Sequence, residues 1–310
     1  MWWYTCKRLL QGLVTVWFIA TVTFIGMHNV PGDPLSGERA TNATIRANLE
    51  ARYGLDRPVT EQYFIYMRNM LKGDFGISYT QQNREVNDII REHFPVSATL
   101  GILAVMFAAL GGILFGALTS LFRNRLPDYI IMFLVILGIS IPSFVFAALG
   151  QLGLVNVNAL TGVSVLPVAG WGTVSHMILP ALVLGLGTMA YMTRLMRSSM
   201  LEVISSDYIR TAKAKGLSPT RIFTRHQLRN AVLPVITVLG PAIAAITTGG
   251  FVVELVFAIP GLGRYFVQAV QQLDYTVIMG TTVFYGAFLV MMVILVDLVY
   301  SWIDPRVRLQ

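Results

Sequence analysis

The stretch Tyr129–Thr193, YIIMFLVILGISIPSFVFAALGQLGLVNVNALTGVSVLPVAGWGTVSHMILPALVLGLGTMAYMT, contains no Asp, Glu, Lys or Arg. An α-helix crosses a bilayer core in about 20 apolar residues, so this stretch is too long for one crossing and requires an interruption. Asn156, Asn158, Thr161, Gly162, Pro167 and Gly170 supply it. The reading places one span near Ile130–Leu154, another near Ser175–Thr193, and a polar turn between them. On either side, Val96–Phe122, Ala231–Val253 and Thr276–Val296 are uncharged runs of spanning length. Leu9–Met27, preceded by Lys7 and Arg8, is a further one. It exceeds the ~7–15 apolar residues of a signal peptide and no small-residue cleavage site follows it, which predicts a retained first span. The expected fold is an all-α integral membrane bundle of six spans.

Composition agrees. Of 310 residues, 55% are apolar without counting the 27 glycines, and 13% are charged. Soluble domains carry about 25% charge, so a soluble enzyme, a disordered chain and a disulfide-stapled domain are all excluded. Cys6 is the single cysteine, and His28, His93, His176 and His226 fall on separate segments, so neither a disulfide nor a metal site is expected. The net charge of +7 raises nucleic acid as a partner, but the cations sort by side of the membrane. With both termini cytoplasmic, inner segments hold Lys7, Arg8, Arg123, Arg125, eight cations from Arg194 to Arg229, Arg306 and Arg308. The eight outer cations of Val30–Pro95 are offset by nine acids. This is the positive-inside pattern of a membrane protein, and no nucleic acid is needed to explain it.

Two connections exceed what a minimal bundle needs, and loops tend to carry function. The outer one, Val30–Pro95, has helix-like stretches at Thr44–Tyr53 and Thr60–Leu71 broken by Gly54 and Pro58. It reads equally as a solvated cap or as a docking surface. The inner one, Arg194–Asn230, predicts a short helix capped at Ser206 or Asp207, running Tyr208–Lys215, and ended by Gly216 in the left-handed C′ position. Ser218 then caps a second helix starting at Pro219. Ala212 and Ala214 are small enough to admit another protein's groove, while the alternative is a basic loop on lipid headgroups. Glu254, after Gly249 and Gly250, is a candidate for an external gate, and Asp297 for a structural ion pair. Gly112 and Gly116 form a G-x-x-x-G step for close helix packing. Residues 1–29 thus form the N-terminal segment with its span, 30–95 an extracytoplasmic region, and 96–310 a five-helix core containing the inner loop at about 194–230.

SDYIRTAKAKGLSP (Ser206–Pro219) followed by RNAVLP (Arg229–Pro234) resembles the cytoplasmic signature of permease subunits of binding-protein-dependent ABC importers. NLEARYGLDRP (Asn48–Pro58), GISIPSF (Gly138–Phe144), ELVFAIPGLGRYF (Glu254–Phe266) and DPRVR (Asp304–Arg308) agree with the peptide and nickel branch. The finer resemblance is to the first of the two paired permeases of an oligopeptide importer. Where the wider class writes E-A-A-x-x-x-G, this chain has Arg210, Thr211, Ala212 and Gly216, so any charge pairing at Arg210 has the reversed sign.

The resemblance implies the type I importer permease fold and a coupling helix made of Asp207, Tyr208, Ile209, Arg210, Thr211, Ala212, Lys213, Ala214, Lys215 and Gly216, seated in an ATPase subunit. It implies a multi-pass subunit of a prokaryotic cell membrane, partnered by a homologous second permease, two ATPase subunits and an extracytoplasmic peptide-binding protein, with Glu254, Gly249 and Gly250 near the translocation path. The chain contains no G-x-x-x-x-G-K-[ST] phosphate loop, so it is not expected to be an enzyme by itself or to carry a cofactor; ATP and Mg2+ belong to the ATPases. Oligopeptide import is the leading reading, with dipeptide, glutathione or nickel import as alternatives. An ATP-independent channel or secondary transporter predicts ion-binding acids or broken-helix repeats, and a membrane-embedded enzyme predicts a clustered catalytic set.

Overall fold

The computed structural model describes residues 2–31, 50–51, 54–81 and 83–303, with side chains described for 5–31, 50–51, 54–81, 83–248 and 250–296. Helices account for most of these residues. In chain order they are α1 (Trp2–Asn29), α2 (Val59–Leu71), α3 (Val86–Leu121), α4 (Leu126–Ser140), α5 (Ser143–Thr161) and α6 (Val174–Ile204). Then come α7 (Asp207–Ala214), α8 (Pro219–Ala231), α9 (Leu233–Gly249), α10 (Phe251–Val256), α11 (Leu262–Gln272) and α12 (Tyr275–Ile303). Among the described residues the only extended pairing is one antiparallel bridge between Ile77 and Glu85. Thr60–Leu71 is helical as expected, whereas the expected helix at Thr44–Tyr53 falls almost entirely outside the described residues, as do Asp304–Arg308 and the side chain of Asp297.

Among the described residues, five helical stretches are long and apolar enough to cross a membrane: Thr5–Asn29, Val86–Leu121, Ser143–Thr161, Val174–Ile204 and Tyr275–Val296. A sixth arises if Pro219–Ala231 and Leu233–Thr248, bent by 42°, act as one span. The bend falls beside Pro234, which has no N–H to give to the helix ladder.

The third sequence-predicted span needs correction. Ile130–Leu154 is not one helix, because Ile141 takes an extended conformation (ψ 126°) ahead of Pro142 and divides it into α4 and α5. The interruption also begins later than Asn156: α5 continues to Thr161 and stops at Gly162 (φ +68°). Asn158 stays helical and uses its side chain on the turn, accepting from Val165 N at 2.9 Å. The connection from Arg194 to Asn230 is likewise mostly helix, since α6 runs past Thr193 to Ile204 and carries Arg194 and Arg197 with it.

By contacts the chain divides into two compact units, Ala98–Ile259 with Leu295–Gln310, and Met1–Ser97 with Pro260–Ile294. In the former, α3 and α6 meet along the small-residue step. A Cβ added to Gly112 would lie 2.5 Å from the Met192 Cβ, and one on Gly116 would lie 2.5 Å from the Met196 Cβ and 2.7 Å from the Thr193 carbonyl oxygen. The close approach buries Met192, Met196 and Met200 completely, together with Ala108, Ala231 and Val235. Asp128, buried at the start of α4, accepts from Arg197 Nε at 2.9 Å and Nη2 at 2.8 Å and from Asn124 N at 3.0 Å. This two-pronged pair ties α4 to α6.

In the other unit, Asp274 is buried just ahead of α12 and caps it by accepting from Val277 N at 3.3 Å. The same carboxylate accepts from the Ser78 hydroxyl, from Thr80 Oγ1 at 2.8 Å, and from Tyr79 N and Thr80 N at 3.2 Å each. One acid thus clamps residues 78–80 to the start of α12. Asp274→Ala removes the acceptor of the buried Ser78 hydroxyl and of the half-buried Tyr79 and Thr80 donors, a loss of roughly 2–3 kcal/mol. The expected result is faster tryptic cleavage at Lys72 and Arg84, which flank the clamped residues; an unchanged cleavage rate would show that the clamp does not hold the segment.

Candidate functional site: the exposed helix α7 and the α9–α10 corner

Helix α7 starts where Ser206 adopts extended backbone (φ −71°, ψ 150°). The Ser206 hydroxyl does not cap the helix; it donates to the Val203 carbonyl at 2.6 Å and so binds the junction back to α6. Asp207 stands in the first turn and Lys213 in the last, each favourable to the helix dipole. At the other end Gly216 takes φ +72°, its N–H reaches the Lys213 carbonyl at 2.9 Å, and Leu217 N reaches the Ala212 carbonyl at 3.3 Å. These two bonds form the Schellman closure that a glycine at C′ permits. Ser218 then precedes Pro219 at the first position of α8, as expected.

Of the ten residues expected in this element, two point inward. Ile209 and Ala212, one turn apart, are buried against Ile222, Val203 and Leu217. Ala212 is therefore part of the foot on which α7 stands and does not offer a recess to another protein. Asp207, Tyr208, Arg210, Thr211, Lys213, Ala214, Lys215 and Gly216 are exposed, and the Asp207 and Arg210 side chains are 97% and 77% accessible. The Tyr208 hydroxyl accepts from Asn230 Nδ2 at 3.1 Å, which adds a tie to α8. The outcome is a stiff helix on an apolar foot, presenting three cations and one acid outward.

The exit from this foot contains a feature that the sequence reading missed. Ile222–Leu228, inside α8, is a π-helix of seven residues with Ile222 and Gln227 buried. Such wide turns are rare and recur at functional positions. No local residue pattern announces this one.

Gly249 ends α9 and Gly250 opens the short helix α10, where Glu254 is buried. A Cβ on Gly250 would make only ordinary contacts, 3.5 Å from Leu184 Cδ2 and 3.6 Å from Glu254 Oε1, so the carboxylate does not require a glycine there. The helix closes on Phe257, and Ala258 follows at φ +53° with Ile259 N bonded to the Glu254 carbonyl at 2.8 Å. Gln151 on α5, which sequence reasoning passed over, donates to both the Val168 and Val256 carbonyls at 3.0 Å. Gly170 N adds a bond to the Phe257 carbonyl at 2.8 Å. The corner containing Gly249, Gly250 and Glu254 is thus braced from α5 and from the turn after it, and α7 and its foot form a separate site.

Among the described residues, five or six helical stretches long and apolar enough to cross a membrane are those of a multi-span membrane protein. Residues 112–309 match the family described as binding-protein-dependent transport system inner membrane component, and residues 1–101 match the N-terminal family of the same membrane components. The chain belongs to the binding-protein-dependent transport system inner membrane component family. It is 48% identical over 306 residues to the dipeptide transport system permease protein DppB of Bacillus subtilis, covering 99% of this chain and 98% of that one. It is 44% identical over 304 residues to the oligopeptide transport system permease protein OppB of Haemophilus influenzae, covering 97% and 98%. Among solved structures, an amino acid ABC transporter crystallised with histidines is similar in fold, with a TM-score of 0.53 at 16% identity over 68% of this chain and 92% of that one.

Proposed function

We propose that this chain is the peptide-translocating permease subunit of an ATP-binding-cassette importer, driven by two separate ATPase subunits and paired with a homologous second permease. The observation that supports this reading is α7: a short, exposed, cationic helix whose buried Ile209 and Ala212 anchor it to Val203, Leu217 and Ile222 of its own chain. A push on such a helix passes through Ile209 and Ala212 to α6 and α8 instead of being lost in a flexible loop. ATP and Mg2+ sit in the ATPases, and their closure moves α7. Substrate arrives from an extracytoplasmic binding protein, and the corner at Gly249, Gly250 and Glu254 acts as the outer gate. Both termini are cytoplasmic in the cell membrane of a prokaryote, which puts Lys7, Arg8, Arg123, Arg125 and α7 on the positive side. Dipeptides are the second substrate reading, favoured by the similarity to the Bacillus subtilis dipeptide permease.

The test is mild-detergent purification of the tagged chain from its native membrane, with mass spectrometry of what accompanies it. Recovery of a second permease and of ATPases bearing phosphate-loop motifs is expected. The chain alone, or a homo-oligomer without any ATPase in several detergents, would contradict the proposal and favour an ATP-independent transporter.

A further inference from the structure

Helix α2 has no buried residues, yet it does not stand clear of the span beside it. The Tyr63 hydroxyl hydrogen-bonds Thr21 Oγ1 at 2.9 Å, Gln62 Oε1 meets His28 Nε2 at 3.1 Å, and Phe24 packs on Tyr63 and Tyr66 with ring centroids 5.4 and 5.7 Å apart. At 1.5 Å per residue, Thr21 lies about 12 Å inward from the Asn29 end of α1. A helix touching α1 at that depth runs beside the last two turns of the membrane span, below the level of a cap.

The surface of α2 divides into three stripes. Gln62, Tyr63 and Tyr66 face α1. Thr60, Phe64, Met67 and Leu71, spaced four, three and four apart, share a second side, on which Phe64 is 70% and Leu71 83% exposed. Glu61, Arg68 and Lys72 form a third, interrupted by the exposed Ile65 and continued before the helix by Arg57, whose Nη1 pairs with Glu61 Oε1 at 2.8 Å. The exposed side chains of Phe18, Val22 and Ile25 on α1 continue the apolar surface down the span. A helix packed to protein on one side, apolar on the next and charged on the third has the geometry of an element lying in the membrane interface, with its aromatic and leucine side chains among acyl chains and its charges among headgroups.

We propose that α2 is an interfacial helix that binds phospholipid in the leaflet at the Asn29 end of the first span, with acyl chains covering Phe64 and Leu71. This inference goes beyond the transport reading and requires only that α1 spans the membrane. It replaces a solvated cap by a lipid-seated brace on α1.

The experiment uses the full transporter in phospholipid nanodiscs, in a Cys6→Ser background, since Cys6 is exposed and would otherwise take label. Single cysteines at positions 64, 71, 68 and 25 carry an environment-sensitive fluorophore. Because Phe64 and Leu71 point away from α1, replacing them leaves the α2 contacts with α1 in place. Labels at 64 and 71 are expected to be quenched about twofold or more by lipid bearing a nitroxide near the headgroup end of its acyl chain, and to resist aqueous iodide several-fold better than the label at 68. Iodide quenching at 64 and 71 equal to that at 68 would restore the solvated cap and overturn the proposal. Shielding of 64 and 71 from both quenchers would overturn it in favour of a protein occupant. The label at 25 separates the two levels of failure: lipid quenching retained there and absent at 64 and 71 sinks only this inference, whereas its loss at 25 also sinks α1 as a span.

Discussion

Reversing two charges on the outer face of α7, Arg210→Glu with Lys213→Glu, is expected to weaken association with the ATPase subunits by about two orders of magnitude, since apposing like charges across an interface costs several kcal/mol. Both positions are exposed; the changes forfeit the exposed Arg210–Asp207 pair and place an acid in the last turn of α7, effects of about 1 kcal/mol or less each, so the variant should insert with its thermal midpoint only slightly lowered. Quantitative pull-down of the ATPases, with a thermal unfolding curve on the same sample, reads both quantities. Ala212→Trp provides the contrast. Ala212 is 6% exposed and packed with Ile209, Ile222 and Leu217, so an indole there overfills the chain's own foot and should lower stability and association together. Equal ATPase recovery from wild type and from the charge-reversed variant would remove α7 as the docking element.

Gly116→Leu is expected to cost the chain its detergent-stable fold. The new Cβ would meet the Met196 Cβ at 2.5 Å, its Cγ at 2.8 Å and the Thr193 carbonyl oxygen at 2.7 Å. Backbone and Cβ atoms cannot turn aside as a side-chain tip can, so α3 must separate from α6 and open the layer of Met192, Met196 and Met200. Overpacking of this kind costs typically about 1–3 kcal/mol and sometimes more. Gly26→Leu is the control, since no atom lies within 4 Å of a Cβ placed there. Size-exclusion profiles and thermal midpoints of the two variants test the point: Gly116→Leu should be lost or aggregated where Gly26→Leu resembles wild type. Equal behaviour would mean that the α3–α6 approach is looser than described.

Much of this was legible in the sequence because the signals are local. Charge-free runs mark the spans, and Gly216 and Pro219 mark the end of α7 and the start of α8 through backbone geometry that single residues impose; Ser206 and Ser218 stand at the expected boundaries, but neither hydroxyl caps its helix. The direction in which Ala212 faces was also available: Ile209 and Ala212 are one turn apart, and Ile209 is the one large aliphatic residue of α7, so that side had to be the anchored one. The break of the third span at Pro142 was readable from the proline itself, which interrupts a helical run and restricts Ile141 before it to extended backbone. What was not legible depends on distant partners. Asp274 meets Ser78 and Thr80 across nearly two hundred positions of chain, and Asp128 meets Arg197 across 69. In a charge count these acids are only offsets to nearby cations. The bracing role of Gln151 and the π-helix of α8 likewise arise from packing, which leaves no periodic trace.

The most direct measurement of the central claim is peptide uptake into proteoliposomes containing this chain, its second permease and the two ATPases, with the binding protein supplied outside and ATP enclosed. The account predicts accumulation of labelled peptide that requires ATP hydrolysis and binding protein together and that falls to background in the Arg210→Glu, Lys213→Glu variant. Uptake that proceeds equally well with ATP omitted, or with that variant in place, would contradict it.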